Sequence, residues 1–375
     1  MKIAFFVQYS HKAGTYFRWH NLAIALQNNG HIVDVYAGDF NYKAKYREEV
    51  REGVSYFITP SFFTSRIFPN PSDIFTSIKR LFFLPKKEYD VYHLFQPFLQ
   101  AFIPWYFLKK RRKALFLYDW DDLWVGGLIV NPKSIKDKYV FTIVKYLEHM
   151  LPILADGTTV CSTYLSEIVK ELQTEIIFNG FWPKEIFSKY LVRTKWNLDE
   201  SVFYLAYIGK TAGEMNWIQE AFEGLPKSLN VGLIICGPDE TMLKSLNLLN
   251  DVRVKYFGTV SPSEAYELAV AADLGLIPLE DSEFNRSRFP IKFFDFLSAR
   301  THVYYSPIGD ISKIGTKIEY AIEGPLEKND WINYMHIAIS RVKKVTDKDI
   351  DVLQQLENYT WASIANKLVG FYKNV

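Results

Sequence analysis

Pro290, Lys292 and Asp295 fall close together in Phe289-Pro290-Ile291-Lys292-Phe293-Phe294-Asp295, and their chemistries complement one another. Proline suits the start of a helix, where the first amide hydrogens have no intrahelical partner, and those outward N–H groups form an anion cradle. Phosphate is the natural guest. Lys292 adds a point charge, and Asp295, one turn on from Ile291, offers a carboxylate to sugar hydroxyls. Without a ligand, the same window is an ordinary crossover helix that begins with proline. A second cluster, Asp119-Trp120-Asp121-Asp122, closes the apolar run at 114–118. Carboxylates gathered at a strand end in apolar surroundings acquire raised pKa values and can orient or deprotonate a hydroxyl. Asp121 is the first candidate for that task and Asp119 the second, with helix capping or plain solvation as the alternative for each. Gly14 lets the backbone approach a phosphate or an acceptor. It belongs to no Gly-x-Gly-x-x-Gly run, which argues against an oxidoreductase.

These residues need elements to hold them, and the chain supplies two series. Apolar strands are expected at 2–9, 31–38, 53–60, 89–95, 114–122, 155–162 and 175–181, with helices at 16–29, 101–113 and 136–154 and another ending near 172. The pattern restarts with strands at 201–210, 231–237, 252–258, 274–279 and 302–306. Between them lie helical stretches at 215–225 and 261–272 and one ending at 249. Residues 280–288 are expected to be a polar loop. Strands separated by helices imply βαβ units and parallel sheets covered on both faces. Two doubly wound units fit 375 residues, a length beyond which one core stops growing. The segment 179–199 is the expected linker. Ligands of open parallel sheets bind beyond the strands' carboxyl ends, so two facing sheets would converge Gly14, Asp119 to Asp122, Gly209, Gly237 and the Ser287 to Asp295 segment on one cleft.

Composition narrows the classes. Forty-four basic against 42 acidic residues leave a net charge of +2, which does not suit a protein held mainly by nucleic-acid phosphates, and no specific nucleic acid is expected. Cys161 and Cys236 end apolar runs and read as core thiols in a reducing compartment. The start of the chain reads as a strand rather than a signal peptide, and no run reaches a membrane span, so a cytoplasmic protein is expected. The seven histidines show no metal-ligand spacing. His93, at a strand end, is a candidate to touch an acceptor or else a packing residue.

In order along the chain, 13–36, 176–187, 207–210, 233–239, 252–279, 287–299 and 359–372 resemble the retaining nucleotide-sugar glycosyltransferases of family 4 and its neighbours. These have the GT-B architecture of two facing Rossmann-like α/β domains. The resemblance implies an acceptor domain at 1–183, a donor domain at 184–358 and a C-terminal helix at 359–375 that packs back on the first domain. It implies transfer of a hexosyl unit from a nucleotide diphosphate sugar to a hydroxyl of a glycan or lipid-linked glycan, without a metal. Its alternatives are a nucleotide-sugar epimerase and a catalytically weak partner protein that binds nucleotide sugar or glycan.

Residue roles follow from the same resemblance. Asp295 would bind ribose, Lys292 and Lys210 the diphosphate, and the backbone around Ser287, Arg288, Phe289, Pro290 and Ile291 the phosphate or donor sugar. Gly14 and Gly209 would line the donor phosphates, while Gly237, Pro238 and Thr259 would flank the base. Asp119, Asp122 and His93 would lie near the acceptor. The family's two glutamates, seven residues between them, are Ser287 and Asp295 here, and its second lysine is Met215. Asp119-x-Asp121 also matches the metal-binding spacing of the other large glycosyltransferase fold, and two carboxylates suit a hard cation. That fold leaves the second α/β half without a place.

Two further stretches, 77–87 and 105–113, set aromatic residues beside lysine and arginine. Such amphipathic stretches either lie on anionic lipid or pack on the sheet with their lysines solvated. Peripheral contact with the inner membrane face is the corresponding expectation.

Overall fold

The computed structural model describes residues 1–10, 14–39, 45–61, 72–185, 187–209, 214–237, 239–344 and 352–375. The chain forms two compact units, one of Met1–Asn179 with Trp361–Val375 and the other of Gly180–Thr360. The sequence placed the divisions after residues 183 and 358.

The first unit holds β1 (Lys2–Tyr9), β2 (Ile32–Gly38), β3 (Arg47–Arg51), β4 (Val54–Thr59), β5 (Val91–Phe95), β6 (Leu115–Trp120), β7 (Gly157–Val160) and β8 (Thr174–Ile176). Their order is β3-β4-β2-β1-β5-β6-β7-β8. Every described pairing is parallel except β3 with β4. Apolar runs such as Ile3 to Val7 are buried throughout, as strands covered on both faces must be. The strand order reverses between β1 and β5, so a crevice opens beyond their carboxyl ends. The helix Ile135–Leu154 begins in a capping box in which Ser134 and Asp137 satisfy each other's backbone amides.

The helix Trp361–Asn374 completes this unit. Ile364, Leu368, Phe371 and Tyr372 are buried, and Lys367 reaches Glu175 at 2.8 Å and the Ile176 carbonyl at 2.7 Å. A Cβ at Gly157 would come within 2.9 Å of the Phe371 ring, so glycine there lets the helix seat on the sheet.

The second unit holds β9 (Phe203–Ile208), β10 (Val231–Cys236), β11 (Val254–Tyr256), β12 (Leu274–Ile277), β13 (His302–Tyr305) and β14 (Ala321–Glu323). The order is β11-β10-β9-β12-β13-β14, all parallel, reversing between β9 and β12. The helix Pro262–Ala271 starts with a Ser261 and Glu264 capping box and proline in its first turn. The expected linker is structured: helix Lys189–Lys195 lies inside it, and Arg193 donates to Asp273 Oδ2 at 2.7 Å and to the Ala271 carbonyl at 2.9 Å. The expected loop at 280–288 contains helix Glu283–Ser287, capped by Ser282 through the Asn285 amide at 3.2 Å.

Candidate functional site

In the second unit, glycine backbone forms the crevice floor where β9, β10 and β11 end. Gly209 N donates to the Cys236 carbonyl at 3.0 Å and Gly237 N to the Gly258 carbonyl at 2.8 Å. Gly237 has φ +106°, and a Cβ on it would sit 2.6 Å from the Gly209 carbonyl oxygen. Only glycine fits there. Beyond the switch point comes helix Ile291–Ser298, with Pro290 at its N-cap and no side-chain cap on its first amides. Phe293 and Phe294 are fully buried and anchor it.

Lys292 crosses from that helix to the glycine floor. Its ammonium lies 4.4 Å from the centre of the Tyr207 ring on β9 and 3.8 Å from where a Cβ on Gly209 would be. Burial and the neighbouring Arg288 lower its pKa to about 8, opposed by Glu214. Arg288 gives Nη2 to Asn285 Oδ1 at 2.6 Å, while its Nε is buried without a partner among the described residues. Asn285 in turn donates to Glu214 Oε1 at 3.0 Å. The result is two cations and one carboxylate around a glycine cradle, an arrangement that favours an anion.

Asp295 follows on the next turn. Its side chain is exposed, yet the packed surroundings lift its carboxyl to about 6, against the pull of Lys184. Lys184 lies 4.2 Å over the Tyr266 ring. No sequence pattern marks Lys184, Glu214 or Asn285. Lys184 sits in the 176–187 segment, but only the fold brings it toward Asp295.

In the first unit the corresponding ends belong to β1, β5, β6 and β7. Gly14 has φ +62° and precedes helix Tyr16–Asn28, whose start carries no side-chain cap bond. Gln96 Nε2 donates to Thr15 Oγ1 across the switch point. Arg18, which sequence reasoning missed, is buried and donates to both oxygens of Asp119, at 2.8 and 2.9 Å, and to Asn179 Oδ1 at 3.1 Å. Thr159 Oγ1 donates to Asp119 Oδ2 at 2.6 Å and lies 3.2 Å from His93 Nε2, while His93 Nδ1 pairs with the Tyr372 hydroxyl at 2.8 Å. Burial pushes the His93 pKa down to about 4.

Asp121 differs from Asp119. It is buried, and among the described residues neither carboxylate oxygen has a hydrogen-bond partner. Burial first, and then the charges of Asp122 and Asp119, hold its pKa well above the carboxylate range. The following loop is fixed by Glu148, which accepts from Trp120 Nε1 at 3.0 Å, Trp124 N at 2.7 Å and Val125 N at 3.1 Å.

No protein-family model matches the chain. A Bacillus subtilis protein with the provisional name teichuronic acid biosynthesis glycosyltransferase TuaH is 27% identical over 225 residues, covering 56% of this chain and 54% of that protein. The chain thus matches about half the length of this curated relative. Sucrose-phosphate synthase from Thermosynechococcus elongatus aligns over 100% of this chain and 98% of its own, at TM-score 0.75 and 16% identity. HepE from Anabaena, solved in complex with UDP-glucose, aligns over 100% of both chains at TM-score 0.71 and 14% identity. The chain has the GT-B fold.

Within this GT-B chain the structure brings Gly209, Gly237, Arg288 and Lys292 together, with Pro290, Ile291 and Asp295 on the adjoining helix. Thr259 is exposed beyond β11. Lys210 and Pro238 lie outside the described residues. Ser287 is fully buried and its hydroxyl donates to the Phe284 carbonyl at 2.8 Å, and Phe289 is buried beside it, so the side chains of both hold the local turn and the expected donor contact belongs to their backbone. His93 is fully buried with both ring nitrogens engaged and does not offer itself to an acceptor. Asp119 is buried, and its two oxygens accept from Arg18 and Thr159, so it anchors both residues at the end of β6. Asp122 is half-buried and acts on Asp121 through its charge.

Proposed function

We propose that this GT-B chain is a cytoplasmic glycosyltransferase that moves a hexosyl unit from a nucleotide diphosphate sugar to a hydroxyl of a glycan or lipid-linked glycan, with retention and without a metal. One observation carries this reading: Lys292 and Arg288 stand together beside a floor that only glycine can form. A diphosphate laid there offsets the burial and the Arg288 charge that together depress Lys292. As the glycosidic bond breaks, negative charge grows on the leaving phosphate oxygen. Cations fixed beforehand in a water-poor site stabilise that charge by several kcal/mol. Two such cations can take the part a divalent ion plays elsewhere, which supports the metal-free reading. Asp295, exposed on the next turn, supplies the carboxylate for ribose hydroxyls in this reading. The name of the Bacillus relative and the UDP-glucose held by HepE point the same way. Retention comes from the family resemblance.

Thermal unfolding of the full chain with UDP-, GDP-, ADP- and dTDP-sugars tests the proposal, because a ligand of the native state raises the melting temperature. At least one nucleotide sugar should do so, and Lys292→Ala together with Arg288→Ala should abolish the shift. A parent chain that responds to none of them defeats the reading. The inward turn of Ser287 supports a second reading, a binding protein with little turnover. A melting shift without sugar transfer to any hydroxyl acceptor would favour it.

A further inference from the structure

Between Ile74 and Phe83 the usual sidedness of a surface helix is reversed. Helix Ile74–Lys79 and the 3-10 turn Arg80–Phe83 bury Thr76, Ser77 and Arg80, all at 2% exposure or less. They turn Ile74, Phe75, Ile78 and Phe82 outward at 39%, 58%, 47% and 83%. Apolar side chains normally take the inner face.

The reversed face is firmly held. Asp73 caps the helix through Phe75 N at 3.1 Å and Thr76 Oγ1 at 2.6 Å. The Arg80 guanidinium, buried in the unit, donates to the carbonyls of Val7 at 3.2 Å, Tyr36 at 3.0 Å and Gln100. It fastens the segment to β1, β2 and helix Leu99–Lys109 at once. A groove of about 470 Å³ runs among Phe75, Ile78, Lys79, Phe82 and Phe83.

Charge decides the occupant. Every charged residue from Ile74 to Lys87 and from Leu99 to Lys113 is basic, and helix Leu99–Lys109 packs against helix Ile74–Lys79. Lys86, Lys110, Arg111 and Lys113 are exposed, Lys110 and Arg111 lying 5.2 and 3.3 Å over the Tyr106 and Phe107 rings. A second copy would set this positive surface against itself. An anionic lipid surface satisfies both the apolar tips and the charge. We propose that this face docks on a bilayer bearing anionic headgroups, with Phe75, Ile78 and Phe82 entering the boundary and Lys86, Lys110, Arg111 and Lys113 meeting the headgroups. The inference goes beyond the proposed transfer reaction and stands on separate residues.

Co-sedimentation of the full chain tests it, with phosphatidylcholine vesicles alone and with vesicles containing about one-third phosphatidylglycerol. Binding is expected to the anionic vesicles at low salt and to fall at high salt. The double change Ile78→Ser with Phe82→Ser should lower the partition about tenfold or more, and Lys110→Glu with Arg111→Glu should move the salt midpoint downward. Absence of binding at low salt overturns the proposal, as does parental binding by the serine variant. So does a self-associated species that the serine variant dissolves. Each variant's melting temperature without ligand serves as the folding control and keeps this test separate from the donor reading. A chain that binds vesicles but no nucleotide sugar leaves the docking face standing.

Discussion

Arg18 and Asp119 meet through two hydrogen bonds, Nε to Oδ1 at 2.8 Å and Nη2 to Oδ2 at 2.9 Å, with both side chains almost sealed from water. One comes from the helix after β1 and the other from β6, so the pair ties together the carboxyl ends on both sides of β5. Removing one member leaves a buried charge uncompensated. Asp119→Asn is expected to cost about 3 to 5 kcal/mol, and the double change Arg18→Met with Asp119→Leu less than that. Urea unfolding of the three proteins reads the difference. A double variant less stable than Asp119→Asn would show that the pair stabilises the fold by more than avoiding a stranded charge.

Asp121 carries the opposite signature, a carboxyl without hydrogen-bond partners among the described residues and with its pKa held well above the ordinary range. Its folded value exceeds its unfolded one, so the folded state binds the extra proton between the two. Stability from this group therefore falls as pH rises from the ordinary carboxylate range to the folded value. Asp121→Asn removes that penalty. The variant's melting temperature should gain on the parent's as pH rises, and parallel curves would contradict the assignment.

Lys292, held at about 8, loses its ammonium as pH rises through that value. Affinity for a nucleotide diphosphate sugar should weaken between about pH 7 and about pH 9, approaching tenfold per unit once the lysine is mostly neutral. Lys292→Arg, charged throughout, should flatten the profile. Titration calorimetry at several pH values provides the check, and an unchanged slope in the arginine variant would assign the pH dependence to another group.

Asp295 offers a sharper test of the sugar-nucleoside end. Replacing it with alanine removes the only carboxylate in 287–299. Charge-assisted hydrogen bonds contribute about 1.5 to 3 kcal/mol each, so donor affinity should fall about tenfold to a hundredfold. The melting temperature without ligand should not fall, because the side chain is exposed and its raised carboxyl costs the folded state stability at neutral pH.

Gly237→Ala addresses the cradle itself. With φ +106° and the Gly209 carbonyl oxygen 2.6 Å from the new methyl, strain of about 1 to 3 kcal/mol is expected. Thermal unfolding should show it together with a weaker nucleotide-sugar shift. A variant with parental stability and shift would mean that the floor can move.

Much of this was legible in the sequence because long apolar strands alternating with helices announce a parallel sheet. The breaks in that legibility have physical causes. β3 is Arg-Glu-Glu-Val-Arg, an antiparallel edge strand with half-exposed alternation, and carries no apolar run to betray it. β14 is three residues at the edge of the second unit's sheet, too short for periodicity. The helix holding Lys292 and Asp295 was readable from proline and spacing. Ser287's inward turn was not, because whether a hydroxyl faces a ligand or its own backbone depends on a helical turn that the polar composition of 280–288 hid. Arg18 was overlooked for the reverse reason: a basic residue in an amphipathic helix reads as solvated until the fold supplies Asp119.

The helix Trp361–Asn374 has one more implication. Its Tyr372 reaches His93 in the middle of the first unit's sheet, yet the ribosome makes it after all of the second unit. During synthesis the first unit therefore waits with the Phe371 and Tyr372 sites open until this helix emerges, and its maturation follows translation of the whole second unit.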